Sequence, residues 1–205
     1  MFIGDYWVIG GVNYRIAAFD YWLNTGDGSR CQTHHVVIVP DSSLTSAKMN
    51  NSTVTTGAYI GSDFYTGANS NTARTTAQSM VKNAFGSTHI LSHREYLMNA
   101  VTNGYESGQS LYDVEIELMN ELMVYGSNIF HNIQNGTNIP SNYTISKSQL
   151  PLFQHCHDLI ANGGNWWLRD VVSSDFFVSI GADGNTFGRD AAKSGGIRPA
   201  FAIKA

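Results

Sequence analysis

The sequence predicts an α+β domain of mainly antiparallel strands, with about three helices and with its first and last strands paired. Three observations point there. Short aromatic and β-branched runs bounded by Gly or Asp turns stand at both ends of the chain, and apolar residues at helical spacing stand in its middle. No linker or internal repeat divides residues 1–205, and a chain of that length falls within the roughly 100–250 residues that one domain commonly holds. The expectation is therefore one closed domain.

Phe2 to Ile9 and Val12 to Phe19 alternate as two strands around a Gly10-Gly11 turn. His35 to Val39 is β-branched and stops at Pro40-Asp41, as a buried strand does. Residues 41–68 are rich in Ser, Thr, Asn and Gly, which predicts a long surface connection with little regular structure, the kind of segment that often carries function. Ala73, Thr76, Ala77, Met80, Val81, Ala84 and Phe85 then mark one face of a first helix that ends at Gly86. His89 to Ser92 reads as a short strand leading into Arg94 to Val101.

A second helix is expected from Leu111 to Val124, opened by a Ser110-x-x-Asp113 capping box and striped by Leu111, Val114, Leu118, Met119 and Leu122. On it Asp113, Glu117 and Glu121 would share a face, solvated or paired with Arg94. Ser146-Lys-Ser-Gln149 is a further capping pattern, with Pro151 in the first turn of a short third helix reaching Ala161. Beyond Asn162-Gly-Gly the tail is β in character: Trp166 to Arg169, Phe176 to Ile180, an Asp183-Gly184 turn, then Ile197 to Ile203.

Composition narrows the function. Charged residues make up only 14% of the chain and the formal net charge is −4, so the surface is polar but mostly uncharged and lacks the clustered cations that capture nucleic acid. Neither a secretory leader nor an apolar run long enough to span a bilayer is evident, so no membrane insertion is expected. Cys31 and Cys156 are too few for a disulfide framework and read as free, buried thiols, although one bridge between them stays open. Asn-x-Thr matches at Asn51, Asn135 and Asn142 matter only after eukaryotic secretion.

Trp166-Trp-Leu-Arg169, followed by paired short strands and Gly196-Ile-Arg-Pro-Ala-Phe201, resembles the closing boxes of C-type-lectin-like modules of phages and Gram-positive surface proteins. Gly4-Asp-Tyr-Trp7, Tyr14-Arg-Ile-Ala17 and Phe19-Asp-Tyr-Trp-Leu23 resemble the start of phage structural proteins with this ending; Ile197 stands where the family usually has Val. The resemblance implies a C-type-lectin-like fold whose segment between the boxes faces a partner. It also implies a virion component assembled in the host cytoplasm: a receptor-binding tail tip or fibre module, or a decoration of capsid or tail. Partners would be other virion proteins, further copies of the chain, and a host cell-surface protein or glycan.

The residues of the boxes themselves read as framework. Each Trp would remove about 150–250 Å² from water, an upper bound of roughly 4–6 kcal/mol. Arg169 and Arg198 suit clamping of carboxylates or carbonyls through their planar forks. Between the boxes, Asp175, Phe177 and Ser179 with Asn185, Phe187 and Arg189 form the outward set in one strand register, mixing aromatic platforms with hydrogen-bonding groups. With Phe176 and Asp183 they are the candidate ligand-binding residues. The competing reading is an ordinary hairpin whose aromatics pack inward or against a neighbouring subunit.

No cofactor motif, nucleophile elbow, phosphate loop or zinc-protease motif appears, so binding is expected and catalysis is not. His34-His35 and His155-Cys156-His157 lack the i, i+4 spacing of helical metal pairs, and neither a calcium loop nor the Glu-Pro-Asn or Gln-Pro-Asp sugar motif of calcium-dependent lectins is present.

Overall fold

The computed structural model describes residues 1–28, 30–53, 58–103, 105–130 and 148–205. Its strands in chain order are β1 (Tyr6–Ile9), β2 (Val12–Phe19), β3 (Val36–Pro40), β4 (Thr45–Ala47), β5 (His93–Thr102) and β6 (Tyr105–Val114). They continue with β7 (Ile116–Leu118), β8 (Trp166–Val171), β9 (Phe176–Ile180), β10 (Thr186–Asp190), β11 (Gly195–Ile197) and β12 (Pro199–Ile203). The helices are α1 (Asp63–Thr66), α2 (Ala73–Phe85), α3 (Glu121–Tyr125) and α4 (Pro151–His155). The α+β class is as expected.

Two five-stranded sheets and a ribbon organise these elements. The first sheet runs β1-β2-β3-β12-β7, the second β10-β9-β8-β11-β4, and β5 pairs with β6 alone. The pairings are antiparallel apart from β8 beside β11. The opening hairpin forms as predicted: Ile9 faces Val12 across Gly10 and Gly11, whose φ of 59° and 81° suit a tight turn that a side chain would strain. The predicted pairing of the first and last strands does not occur. β12 pairs instead with β3 and β7, because the apolar Val37-Ile-Val39 of β3, fully buried on both faces, takes the central place of the sheet between β2 and β12.

Three apolar clusters hold these layers. One lies between the sheets and joins Ala17, Val37, Val39 and Ala202 of the first to Trp166, Leu168, Val178 and Ile180 of the second, with Phe153 of α4 and Met123 of α3. A second covers the opposite face of the second sheet and gathers Trp167, Phe177 and Ile197 with Tyr59, Phe64, Ala73, Ala77 and Leu97. A third packs Val81 against Tyr14, Ile38 and Phe201 on the far face of the first sheet. Helix α2 spans the last two, since Ala73 and Ala77 enter one and Val81 the other at helical spacing, and Gly86 caps it as predicted.

The expected second helix is replaced by three elements. Leu111 and Val114 lie in β6 opposite Tyr96 and His93, Ile116 to Leu118 form β7, and only Glu121–Tyr125 is helical, capped by Asn120 accepting from the Met123 amide at 2.9 Å. The stretch Asp113-Val-Glu-Ile-Glu-Leu118 alternates acid and apolar residue strictly, a period of two that outweighs the weaker helical stripe. Asp113, Glu117 and Glu121 therefore share no helix face. Ser110 caps nothing; its hydroxyl accepts from Asn99 across the ribbon.

The third helix is shorter than expected. It stops at His155, and a 3-10 turn at His157–Leu159 follows. Gln149 does not close a capping box, because its side-chain amide donates to the Val124 carbonyl at 2.8 Å. Ser146, Asn135 and Asn142 lie outside the described residues. The 41–68 connection carries β4 and α1, and His89–Ser92 holds a bridge between Ile90 and Ile203 rather than a full strand.

Trp167 is fully buried against Phe177, with ring centroids 6.5 Å apart. Replacing it by Ala is expected to cost about 3–5 kcal/mol, read as a lowered denaturant midpoint. A Cβ at Gly195 would meet the Trp167 Nε1 at 2.7 Å. Gly195→Ala should accordingly cost about 1–3 kcal/mol by overpacking.

Candidate functional site

The two boxes of the tail are framework throughout. Trp166 and Trp167 donate from their indole nitrogens to the Ile160 carbonyl at 3.2 Å and the Ala47 carbonyl at 2.9 Å. Arg169 donates to the Leu118 carbonyl at 3.0 Å and pairs closely with Glu95. Arg198, fully buried, donates to the carbonyls of Pro40 at 2.7 Å and Leu159 at 2.8 Å and lies 4.9 Å from the Trp166 ring centroid. Burial pushes its pKa down to about 10, with Asp41 acting the other way, so it stays charged at neutral pH. Both arginines clamp carbonyls or carboxylates, the role their forks suggested.

Between the boxes, β9 and β10 form the predicted hairpin with a loop at Gly181–Asn185. Opposite residues in an antiparallel pair share a face, so the pairs Phe177–Arg189 and Ser179–Phe187 place all four on one side, as the alternation implied. That side does not point outward. Phe177 and Ser179 are fully buried: Phe177 belongs to the second core, and the Ser179 hydroxyl donates to the Trp166 carbonyl at 3.0 Å. The reason is that β9 is an inner strand, covered on both faces by different cores, and alternation there divides residues between two interiors.

The exposed members of the candidate set are Asp175, Phe176, Asp183 and Asn185, while Phe187 and Arg189 are half-buried. Phe176 is 39% exposed. At the loop, Asp183 accepts from the Asn185 amide at 3.1 Å and its side chain at 2.7 Å, which holds the carboxyl below the usual range. Tyr125 fastens the turn by donating to the Gly184 carbonyl at 2.6 Å.

Arg189 stands at a different feature. Its guanidinium lies 5.7 Å from the Trp167 ring centroid and donates to the Ser194 carbonyl at 2.8 Å, and it borders an open cleft of about 640 Å³. The other walls are Ser43, Thr45 and Ser46 from the polar connection and Asn162 to Asn165 from the turn before β8. Pairing of β11 with β4, and the Gly196 amide donating to the Asn165 carbonyl at 2.7 Å, bring these distant stretches together. A Cβ at Gly196 would stand 2.0 Å from the Ser43 hydroxyl, so only glycine allows the wall to close. Sequence reasoning missed these residues; the one signal was the length and polarity of the 41–68 connection. It also missed Ile129 and Phe130, which are 51% and 39% exposed and sit beside the hairpin because Glu121 accepts from their amides and from the Thr186 hydroxyl.

The remaining ion pairs divide between the interior and the surface. Glu117 receives Tyr59 and the Arg74 guanidinium, the latter at 2.8 Å, whereas Asp113 pairs with Arg94 at 3.3 Å as anticipated. Both cysteines are free, but Cys31 is half-buried and Cys156 exposed, which corrects the expectation of buried thiols: Cys31 lies in the connection between β2 and β3, its backbone hydrogen-bonded to Asn24 and Thr25, and Cys156 stands at the end of α4. Among the described residues no group of three His, Cys, Asp or Glu side chains is placed to hold a metal ion, and no helix is long and apolar enough to cross a membrane.

Glu95 links this framework to pH. Burial pushes its carboxyl up, but the Arg169 charge and the His93 hydrogen bond prevail and lower it to about 2. A depressed carboxylate stabilises the fold above its unfolded pKa of about 4.3, and that stabilisation disappears as pH falls toward the folded value. Glu95→Gln should therefore destabilise the protein at neutral pH and flatten its stability loss between those two values, as measured by urea unfolding at a series of pH. Loss of the paired charge beside buried Arg169 is expected to cost about 3–5 kcal/mol at neutral pH. No protein-family model, curated protein or solved structure matches this chain.

Proposed function

We propose that the protein is a bacteriophage virion component with a C-type-lectin-like fold that recognises the host surface through the 173–195 segment, as a tail-tip or fibre module. The supporting observation is the contrast within the tail. Trp166, Trp167, Arg169 and Arg198 are buried and immobilised by hydrogen bonds, while Phe176, Asp175, Asp183 and Asn185 stand exposed on the strands and turns that this framework carries. A rigid base presenting an aromatic anchor among donors and acceptors loses little entropy on binding, which favours specific recognition. The resemblance of the two boxes to lectin-like phage modules supports the same reading.

A second reading is a decoration or assembly protein of capsid or tail with no host ligand, its surface buried against sister subunits. Two features favour it. β10 is an outer strand of its sheet, and the outer strand β1 with the residues before it exposes Met1, Phe2, Tyr6 and Val8 at 70%, 76%, 52% and 64%.

Alanine at Phe176, Asp183, Asn185 and Phe187 separates the readings, with circular dichroism of the isolated protein confirming its fold. Under the recognition reading particles assemble normally and adsorption slows on the order of ten-fold or more, the scale of losing an anchor worth about 2 kcal/mol. Failed assembly of a folded variant would instead support the structural role.

A further inference from the structure

Strand β1 is the outer strand of the first sheet and, among the described residues, pairs on one side alone, with β2. The ladder fixes where its backbone groups point. The Asp5 carbonyl accepts from the Ile16 amide at 2.8 Å, so this bond flanks the Tyr6–Arg15 pair and Tyr6 itself exchanges none with β2. The two-residue Gly10-Gly11 turn agrees, since it closes on Ile9 and Val12 as a hydrogen-bonded pair, and alternation then gives Val8 the same place as Tyr6. The N–H and C=O of both residues therefore point away from β2. Their side chains are uncovered as well: Tyr6 and Val8 share a face and are 52% and 64% exposed, while Trp7 and Ile9 turn the other way into the third core. Such an edge is a template for a further strand, and folds that avoid pairing there place a lysine, a proline or a bulge on it. Tyr6-Trp-Val-Ile9 has none of these, and its register with β2 is unbroken.

The strand that matches this edge is β1 itself. Laid antiparallel across a two-fold axis at Trp7, two copies bring Tyr6 of each opposite Val8 of the other. Every outward N–H and C=O of the two residues is then paired, and on the exposed face an aromatic side chain meets a β-branched one twice, a favourable cross-strand combination. A shift by two residues in either direction sets Val8 against Gly4 or Tyr6 against Gly10 and forfeits that contact. Charge does not oppose the match. Asp5, the one charged side chain in residues 1–9, stands opposite Ile9 of the other copy, which keeps the two carboxylates about 13 Å apart along the strands, beyond the Debye length of about 8 Å at physiological salt. We infer that the chain forms a two-fold dimer in which paired β1 strands join the first sheets of both copies into one continuous sheet. The pairing uses up the edge of each copy, so assembly closes at two. Met1 and Phe2, 70% and 76% exposed just before the strand, widen the apolar border, but the joint stays at the small end of specific interfaces, below about 1,200 Å² in total, so the dimer is reversible with micromolar dissociation. It requires neither reading of the tail, because β1 lies in the first sheet and the 173–195 hairpin in the second.

Analytical ultracentrifugation of the full chain over a micromolar concentration series tests this, together with Val8→Pro. Proline removes the outward Val8 donor but no bond to β2, and an outer strand accepts it at such a position. Circular dichroism should stay unchanged while dimerisation weakens about ten-fold or more. Register is read separately, in a background of Cys31→Ser and Cys156→Ser that removes the free thiols. Tyr6→Cys mixed with Val8→Cys should cross-link on mild oxidation, since the Cα atoms of a hydrogen-bonded pair lie about 5.5 Å apart, within disulfide reach. Neither variant alone should do so, because like positions stand about 8 Å apart, beyond that reach. A chain that stays monomeric at every concentration overturns the inference and leaves the edge to a strand of another protein. A folded Val8→Pro variant that dimerises as before, an assembly of three or more copies, or cross-links in the single variants and none in the mixture overturn it equally. If Val8→Pro loses its fold, the cross-linking pattern decides alone. The isolated chain answers all of this without particles, so the outcome is distinct from that of the hairpin variants.

Discussion

Two adjacent indoles on one strand impose the architecture. Consecutive side chains of a β-strand leave opposite faces, so Trp166 and Trp167 cannot share a core. Both are nevertheless fully buried, Trp166 between the sheets and Trp167 on the far side. The second sheet must then be covered twice, by the first sheet on one face and by α1, α2 and the β5–β6 ribbon on the other. Gly195 follows from the same demand, because β11 passes within 3 Å of the Trp167 ring where a Cβ would sit. Closing both cores also makes β9 an inner strand, which is why its aromatic at position 177 serves packing.

Charge is used inside this protein to fasten segments far apart in sequence. Glu95 of the ribbon, Arg169 of β8 and the carbonyl of Leu118 in β7 form one cluster; Glu117 of β7, Arg74 of α2 and Tyr59 form another. Such pairs lose much of their Coulomb gain to desolvation, so their contribution lies more in fixing which elements meet than in net stability. Glu121, wholly buried, joins α3 to the 129–130 turn and to β10 in the same way. These groups are committed to the interior, while Lys48, Asp113, Asp175 and Asp183 stay exposed at the surface.

The hairpin and the neighbouring cleft depend on that interior. The hairpin is backed by Tyr125, Glu121 and Trp167, which contact its loop and outer strand. The neighbouring cleft exists only because β4 and β11 pair and because glycine at position 196 lets Ser43 approach. Hairpin and cleft meet at Arg189, which belongs to the strand of one and to the wall of the other.

Local pattern alone determined a good part of the protein: the Gly10-Gly11 hairpin, the buried Val37 to Val39 strand, the first helix with its Gly86 cap, the β tail, and the clamping roles of Arg169 and Arg198. Each rests on a turn residue, a period or a side-chain geometry that acts within a few positions. The strand at Asp113 to Leu118 was also legible as acid-apolar alternation, but a helical stripe of similar residues competed with it. Tertiary structure decided the rest. Period-two alternation says which residues share a face, not whether that face meets water, and Phe177 and Ser179 turned inward because a second core lay there. β12 pairs with β3 and not with the first strand because sheet order depends on which apolar strand must be central. The cleft is assembled from residues 43–46, 162–165 and 189–196, three stretches whose proximity is fixed by strand pairing across the chain and by no spacing within it.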